Sequence, residues 1–295
     1  MLRDGDFYSF DGTRLRTYEG GIAHGQPLII ANGLGGSIRS WRHIVSAFGA
    51  RFRILSWDYR GLYGSDWPAD RRSFELTHHA HDLAALLEHF DVHNPVIMGW
   101  SMGVQVMLEF HRTHADVPAA LVAIHGTHSS PLHTAFDGRT PRRVAPAVYR
   151  VVRRGWRVAM RPAKRLSHSR RLTGLFVRGG IALRVMDPAI DRSVFWDMGR
   201  DWVHLDLDNY CSLFEALDRH DARGLLPLVK APMLVVNGER DRFTPPQYGE
   251  EIAAGVQRSE LFVIPGGTHF GLLEYPDALN RRLARFFGDH LFDPA

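Results

Sequence analysis

Apolar residues follow two rhythms along this chain. Near the start, two short alternating stretches, Phe7 to Phe10 and Leu15 to Glu19, flank Asp11-Gly12. Alternation marks strands with one buried face, and Asp-Gly supplies the positive φ of a tight turn, so a β-hairpin is predicted. Beyond it the apolar positions become short continuous runs: Leu28 to Ala31, Phe52 to Trp57, Val96 to Met98, Leu121 to Ile124, Met233 to Val236 and Leu261 to Ile264, each bounded by Gly, Pro, Asn or Asp. Runs of this kind suit strands covered on both faces. Between them lie helical patterns at 41–48, 77–90, 102–111, 246–254 and 276–287. Strand and helix in alternation predict an α/β fold, a mostly parallel, doubly wound sheet of about eight strands.

The alternation stops between about Gly126 and Asp221, where Arg, Trp, Phe and Pro are frequent and the pattern is helical, and it resumes at Leu234. This predicts a core built from 1–126 and 221–295, with a helical cap inserted at 127–220. No repeat or low-complexity tract interrupts the chain.

Charge changes the picture mainly in that insertion. The net charge is +4, yet Gly138 to Met186 holds fourteen Lys or Arg and no Asp or Glu, which leaves the remainder net acidic. The basicity is therefore local, and a nucleic-acid partner is not expected. Arg142, Arg143, Arg150, Arg153, Arg154, Arg157, Arg161 and Arg165 interleave with Val, Trp156 and Met160. Such a segment reads as a solvated face whose arginine stems cover apolar surface. The sharper reading is a lid that makes peripheral contact with anionic lipid or steers an anionic substrate.

With 295 residues, 45% of them hydrophobic, the chain can bury a large core. No apolar run approaches the roughly 20 residues of a membrane helix, and Met1 to Asp6 lacks a signal-peptide core, so a cytoplasmic location is expected. Cys211 is the lone cysteine, which excludes a disulfide framework or a cysteine-based metal site. His78, His79 and His81 lack the acidic or cysteine spacing of a metal site and are expected on a solvated helix surface. Gly33-Leu34-Gly35-Gly36 follows a strand, but a dinucleotide-binding G-x-G-x-x-G would need glycine where Ile38 stands.

Candidate chemistry begins at V-I-M-G-W-S-M-G, residues 96 to 103, where a predicted strand ends in two glycines bracketing Ser101. Ligands in open α/β sheets bind at the C-terminal ends of strands. Glycines at 99 and 103 permit a sharp strand-to-helix turn that holds the hydroxyl out of the sheet, facing the N–H groups of the next helix. A serine needs a base, and the base needs a carboxylate. The loop after Val235-Val236 carries Asp241, and the loop after Val263-Ile264 carries His269. Glu239 shares the first loop and is the rival acid.

The order Ser101, Asp241, His269 resembles that of the α/β-hydrolase family, here with a cap, and the resemblance covers almost the whole length. It implies a triad of those three residues and an oxyanion hole formed by the backbone N–H groups of Met102 and Leu34, the latter in Asn32-Gly33-Leu34-Gly35-Gly36, which resembles the family's H-G-x-G segment. Asn32 stands where the family often has His. In Asp58-Tyr59-Arg60-Gly61-Leu62-Tyr63-Gly64-Ser65, Tyr63 takes the place of the second glycine of D-x-R-G-x-G-x-S. Asn32, Tyr63, Trp100, His125, Trp196 and Trp202 are candidates for the substrate pocket, and Trp156 and Phe195 could join them. For His125 and His128 a structural role stays equally open. The resemblance implies hydrolysis of a small-molecule carboxylic ester or related acyl compound without metal or organic cofactor. The same residues could support C–C bond hydrolysis or perhydrolysis. A non-catalytic ligand receptor on the same fold is the alternative of another class.

Overall fold

The continuous apolar runs become the interior strands of one eight-stranded sheet in the computed structural model, which describes residues 2–70, 73–134, 170–202 and 204–292. The strands are β1 (Arg3–Tyr8), β2 (Arg14–Gly21), β3 (Gln26–Ala31), β4 (Phe52–Trp57), β5 (Val96–Trp100), β6 (Ala120–Ile124), β7 (Met233–Gly238) and β8 (Ser259–Ile264). Their spatial order is β1-β2-β4-β3-β5-β6-β7-β8. Strands β3 to β8 run parallel, and β2 pairs antiparallel with both β1 and β4.

Side chains alternate across a strand, and here both faces are apolar. Ile29, Leu55, Ile97, Leu121 and Val235 join one buried layer with Leu83 and Leu86 of α2 (Leu76–His89) and Met107 and Phe110 of α3 (Met102–His111). Leu28, Ile54, Met98, Val122 and Val236 join the other, with Ile44 and Phe48 of α1 (Arg42–Phe48) and Leu279, Leu283 and Phe286 of the C-terminal helix Pro276–His290. This two-sided cover explains why the runs read as unbroken.

Strand β1 begins earlier than the alternation suggests. It is an edge strand whose residues other than Phe7 are exposed, so it carries no hydrophobic contrast, and Asp11-Gly12 sits in a longer Ser9–Thr13 loop with Gly12 at φ 81°. At the opposite edge β8 is covered incompletely, and Leu261 is exposed.

Contrary to the solvated-surface expectation, His79 is wholly buried. Its ring meets Tyr59 edge-on at 4.9 Å, and burial, reinforced by Arg60, holds its pKa well below the ordinary histidine value. Around it lies a buried ionic knot. Asp82 accepts from Ser9 Oγ at 2.5 Å and from both Nε and Nη2 of Arg60, and Arg60 Nη1 reaches Asp11 at 2.8 Å. The knot fastens the β1–β2 hairpin to α2. His78 and His81 instead flank the exposed ring of Phe10.

Between β6 and β7 the described α-helices are α4 (Pro131–Thr134), α5 (Arg170–Ala182), α6 (Arg192–Trp202) and α7 (Leu207–Arg219), followed by a 3-10 turn at Arg223–Leu228. Val177, Val194, Phe195 and Met198 extend one core layer, and Leu213, Ala216 and Leu217 the other. The arginines from 142 to 165 and Trp156 lie outside the described residues. Among the described residues no helix is long and apolar enough to cross a membrane.

Candidate active site

Ser101 stands between the end of β5 and the start of α3 with φ 54° and ψ −115°, a conformation that L residues rarely hold. Two close approaches fix it. A Cβ at Gly99 would lie 2.5 Å from the Gly103 carbonyl carbon, and a Cβ at Gly103 would lie 2.2 Å from the Ala31 oxygen. The glycines are therefore required by backbone packed on backbone as well as by the turn. The Ser101 N–H donates to Ile124 O at 2.9 Å, tying the corner to β6.

The loops after β7 and β8 bring the other two residues to this corner. His269 Nε2 lies 3.0 Å from Ser101 Oγ, and His269 Nδ1 lies 2.9 Å from Asp241 Oδ2. Asp241 is fully enclosed and its oxygens are saturated. Oδ1 accepts the N–H groups of Phe243 and Thr244, each at 2.9 Å, and Oδ2 accepts Thr244 Oγ1 at 2.8 Å. Burial alone would raise the pKa of this carboxyl, but its interactions with His269 and His125 outweigh that and hold it well below the ordinary carboxylate range. Glu239 does not compete, since it is exposed and its Oε2 accepts the Gly266 N–H at 2.8 Å.

Thr244 is a member that the sequence reading missed. Its hydroxyl touches Asp241, lies 3.2 Å from His269 Nδ1 and reaches His125 O at 2.9 Å. The signal was present as Asp241 followed three residues later by Thr, a spacing at which an aspartate caps the chain ahead of it.

Met102 opens α3, where the first N–H groups of a helix have no partner inside it. Leu34 lies in a turn closed by Gly36 N–H to Gly33 O at 2.8 Å, with Gly35 at φ 69°. Trp100 packs beneath this turn, so that a Cβ at Gly33 or Gly36 would come 3.0 or 3.1 Å from its ring, and its Nε1 donates to His269 O at 3.2 Å. Trp100 thus braces both loops and is almost wholly buried instead of forming an open wall.

The remaining pocket candidates separate clearly. The Asn32 side chain turns inward, accepting from Trp41 Nε1 at 2.9 Å and donating to Trp57 O at 3.0 Å, so it anchors the loop and does not line a pocket. Tyr63 holds φ 48° in the place of the family's glycine, and its hydroxyl donates to Gly35 O. His125 is fully buried beside the acid, with Nδ1 3.3 Å from Asp241 Oδ2 and φ 48°. His128 points elsewhere, to Glu251 at 2.7 Å. Trp196 is half-buried on α6; among the described rings it is its neighbour Phe195 that packs on Phe270, at 5.7 Å, and on Trp202, at 6.0 Å. Phe270 and Phe243 in turn border His269 at 6.0 and 5.4 Å. Among the described residues no group of three or more His, Cys, Asp or Glu side chains is arranged to hold a metal ion.

A family model described as alpha/beta hydrolase fold matches residues 26–276. Among curated proteins, the chain is 23% identical to the AB hydrolase superfamily protein YisY of Bacillus subtilis over 90% of this chain and 92% of that protein. It is 24% identical to a putative non-heme chloroperoxidase of Synechocystis, again over 90% of this chain and 92% of that one. Among solved structures, a putative aryl esterase from Burkholderia cenocepacia superposes with a TM-score of 0.78 at 22% identity, covering 98% of this chain and 99% of that one. The esterase RhEst1 from Rhodococcus gives 0.77 at 20% identity, with the same coverage.

Proposed function

Because the chain belongs to the alpha/beta hydrolase fold family, we propose that it is a serine hydrolase that cleaves a small-molecule carboxylic ester or related acyl compound through a covalent acyl-enzyme. One observation carries this reading, the unbroken line from Asp241 Oδ2 through His269 to Ser101 Oγ, with links of 2.9 and 3.0 Å.

In this mechanism Ser101 Oγ attacks the carbonyl carbon while its proton passes to His269 Nε2. Asp241 holds the proton on Nδ1, which leaves the Nε2 lone pair facing the hydroxyl, and it stabilises the imidazolium that forms. The Leu34 and Met102 N–H groups receive the developing oxyanion. His269 returns the proton to the departing alkoxide, and the C–O bond of the substrate breaks. Water then enters; His269 takes its proton, and collapse of the second tetrahedral intermediate frees the acid and the Ser101 hydroxyl. Residues 127–220 form the cap in this reading, and the apolar rings of Phe243 and Phe270 beside His269 favour an apolar acyl or alcohol group.

The relative named as a chloroperoxidase bears on a second reading, in which hydrogen peroxide instead of water takes the acyl group and a peracid is released. A chain-length series of p-nitrophenyl esters, run with and without peroxide and with Ser101→Ala as control, tests both. Ester turnover that vanishes in Ser101→Ala supports the serine hydrolase, and peracid accumulation adds the second activity. A folded wild-type protein that turns over no ester and binds the esters intact supports a receptor instead.

A further inference from the structure

The turn that carries Leu34 is held from outside the sheet. Its Gly35 carbonyl accepts two hydrogen bonds, from the Tyr63 hydroxyl and from Trp202 Nε1 at 2.5 Å, so both lone pairs are used. Immediately beyond it, Ser37 Oγ donates to Asp201 Oδ2 at 2.7 Å, and Arg39 Nε pairs with the same carboxylate at 3.2 Å. From α7 the Tyr210 ring closes on Gly35, where a Cβ would lie 2.9 Å from it. Residues 35 to 39 are thus gripped by Asp201, Trp202 and Tyr210, all from helices between β6 and β7. Gly35 sits at φ 69°, where a glycine peptide rotates at little cost unless something pins it.

We propose that Trp202 is a positioning residue for the oxyanion hole: its indole N–H, delivered by α6, fixes the Gly35–Gly36 peptide, whose own N–H donates to Gly33 O at 2.8 Å and so holds the Gly33–Leu34 peptide with the Leu34 N–H aimed at the reacting carbonyl. The inference rests on the serine-hydrolase reading and goes beyond it, because it gives one hydrogen bond from α6 to the loop backbone, and not the docking of that helix in general, a part in catalysis. Tyr63 supplies the second donor to the same carbonyl. It holds φ 48°, a conformation in which glycine would be unstrained, while its hydroxyl donates to Gly35 O.

Trp202→Phe keeps an aromatic ring against Phe195 and deletes the N–H. Loss of an oxyanion donor costs roughly 100- to 1000-fold, and misaiming one costs a part of that, about tenfold in kcat. The expected result with p-nitrophenyl butyrate is a fall in kcat of about tenfold, with KM changed less than twofold. The inhibition constant of an alkyl trifluoromethyl ketone, which forms a tetrahedral adduct on serine, should rise by the same factor. Asp197→Asn breaks the Arg42–Asp197 bridge of the same helix without touching the turn and should leave kcat unchanged. A kcat for Trp202→Phe within twofold of wild type overturns the proposal while leaving the hydrolase reading intact. An equal loss in Asp197→Asn also overturns it, since general docking of α6 would then be the cause. Absence of any Ser101-dependent turnover in the wild type overturns both.

Discussion

Replacing Asp241 with Asn changes one atom, and the surrounding hydrogen bonds dictate the outcome. The Oδ1 position faces two backbone N–H donors at 2.9 Å, from Phe243 and Thr244, so the amide oxygen must stay there. Turning the amide over would set its NH₂ against both donors in a buried site, where each unmade bond costs about 1–3 kcal/mol. The NH₂ therefore occupies the Oδ2 position, 2.9 Å from His269 Nδ1. It can only donate, so Nδ1 must offer its lone pair and the ring proton moves to Nε2. That proton then points at Ser101 Oγ, 3.0 Å away, and the ring can no longer accept the serine proton. A wrong tautomer in such a triad lowers kcat by about 10³- to 10⁴-fold, equivalent to ~4–5.5 kcal/mol. The assay is hydrolysis of p-nitrophenyl butyrate by Asp241→Asn and by Glu239→Gln, with circular dichroism to confirm folding. A loss below tenfold in Asp241→Asn, or a large loss in Glu239→Gln, would refute the assignment of the acid.

Three further outcomes follow from the packing. Gly103→Ala drives a methyl into the Ala31 carbonyl, 2.2 Å from its ideal position, and should cost at least about 1–3 kcal/mol in thermal unfolding; a neutral effect would mean that α3 can slide off β3. Asp82→Ala leaves the fully buried Arg60 with only Asp11, and urea titration should show a loss of about 3–5 kcal/mol, against under 1 kcal/mol if the knot is incidental. The Asp58 carboxyl is pushed up to about 6 by burial, with bonds from the Gly64 N–H and Tyr18 hydroxyl offsetting part of the effect. Because the folded protein holds that proton to higher pH than the unfolded chain, the stability it contributes is fully present below the ordinary 3.8 and is lost as pH rises through about 6. The gap is worth about 3 kcal/mol, so between pH 4 and pH 8 wild type should lose up to that much more stability than Asp58→Asn, and parallel curves would contradict it.

What could be read in the sequence tracks how much each element differs from its surroundings. Strands β3 to β7 are buried on both faces, so their apolar runs stand out against Gly, Pro and Asn. Strand β1 packs only Phe7 inward, so the turn after it is its sole signal in the sequence and its first residues carry none. Ser101, Asp241 and His269 were legible because each ends a strand run, and three such ends of a parallel sheet share one edge. Side-chain direction was not legible. Asn32 could face the site or the core, and only the Trp41 indole and the Trp57 carbonyl decide for the core. His79 lies among polar neighbours in the sequence, yet its turn of α2 faces Tyr59. The grip of Trp202 on Gly35 joins residues 167 apart in the chain, a separation no local pattern encodes.

The central claim is that His269 activates the Ser101 hydroxyl, and covalent labelling tests it most directly. Wild-type protein treated with a fluorophosphonate and analysed by intact mass and peptide mapping should gain one adduct, on Ser101, with the labelling rate falling by at least about 100-fold in His269→Ala. No adduct on folded wild-type protein, an adduct on another residue, or labelling of Ser101 at an undiminished rate without His269 would contradict the account.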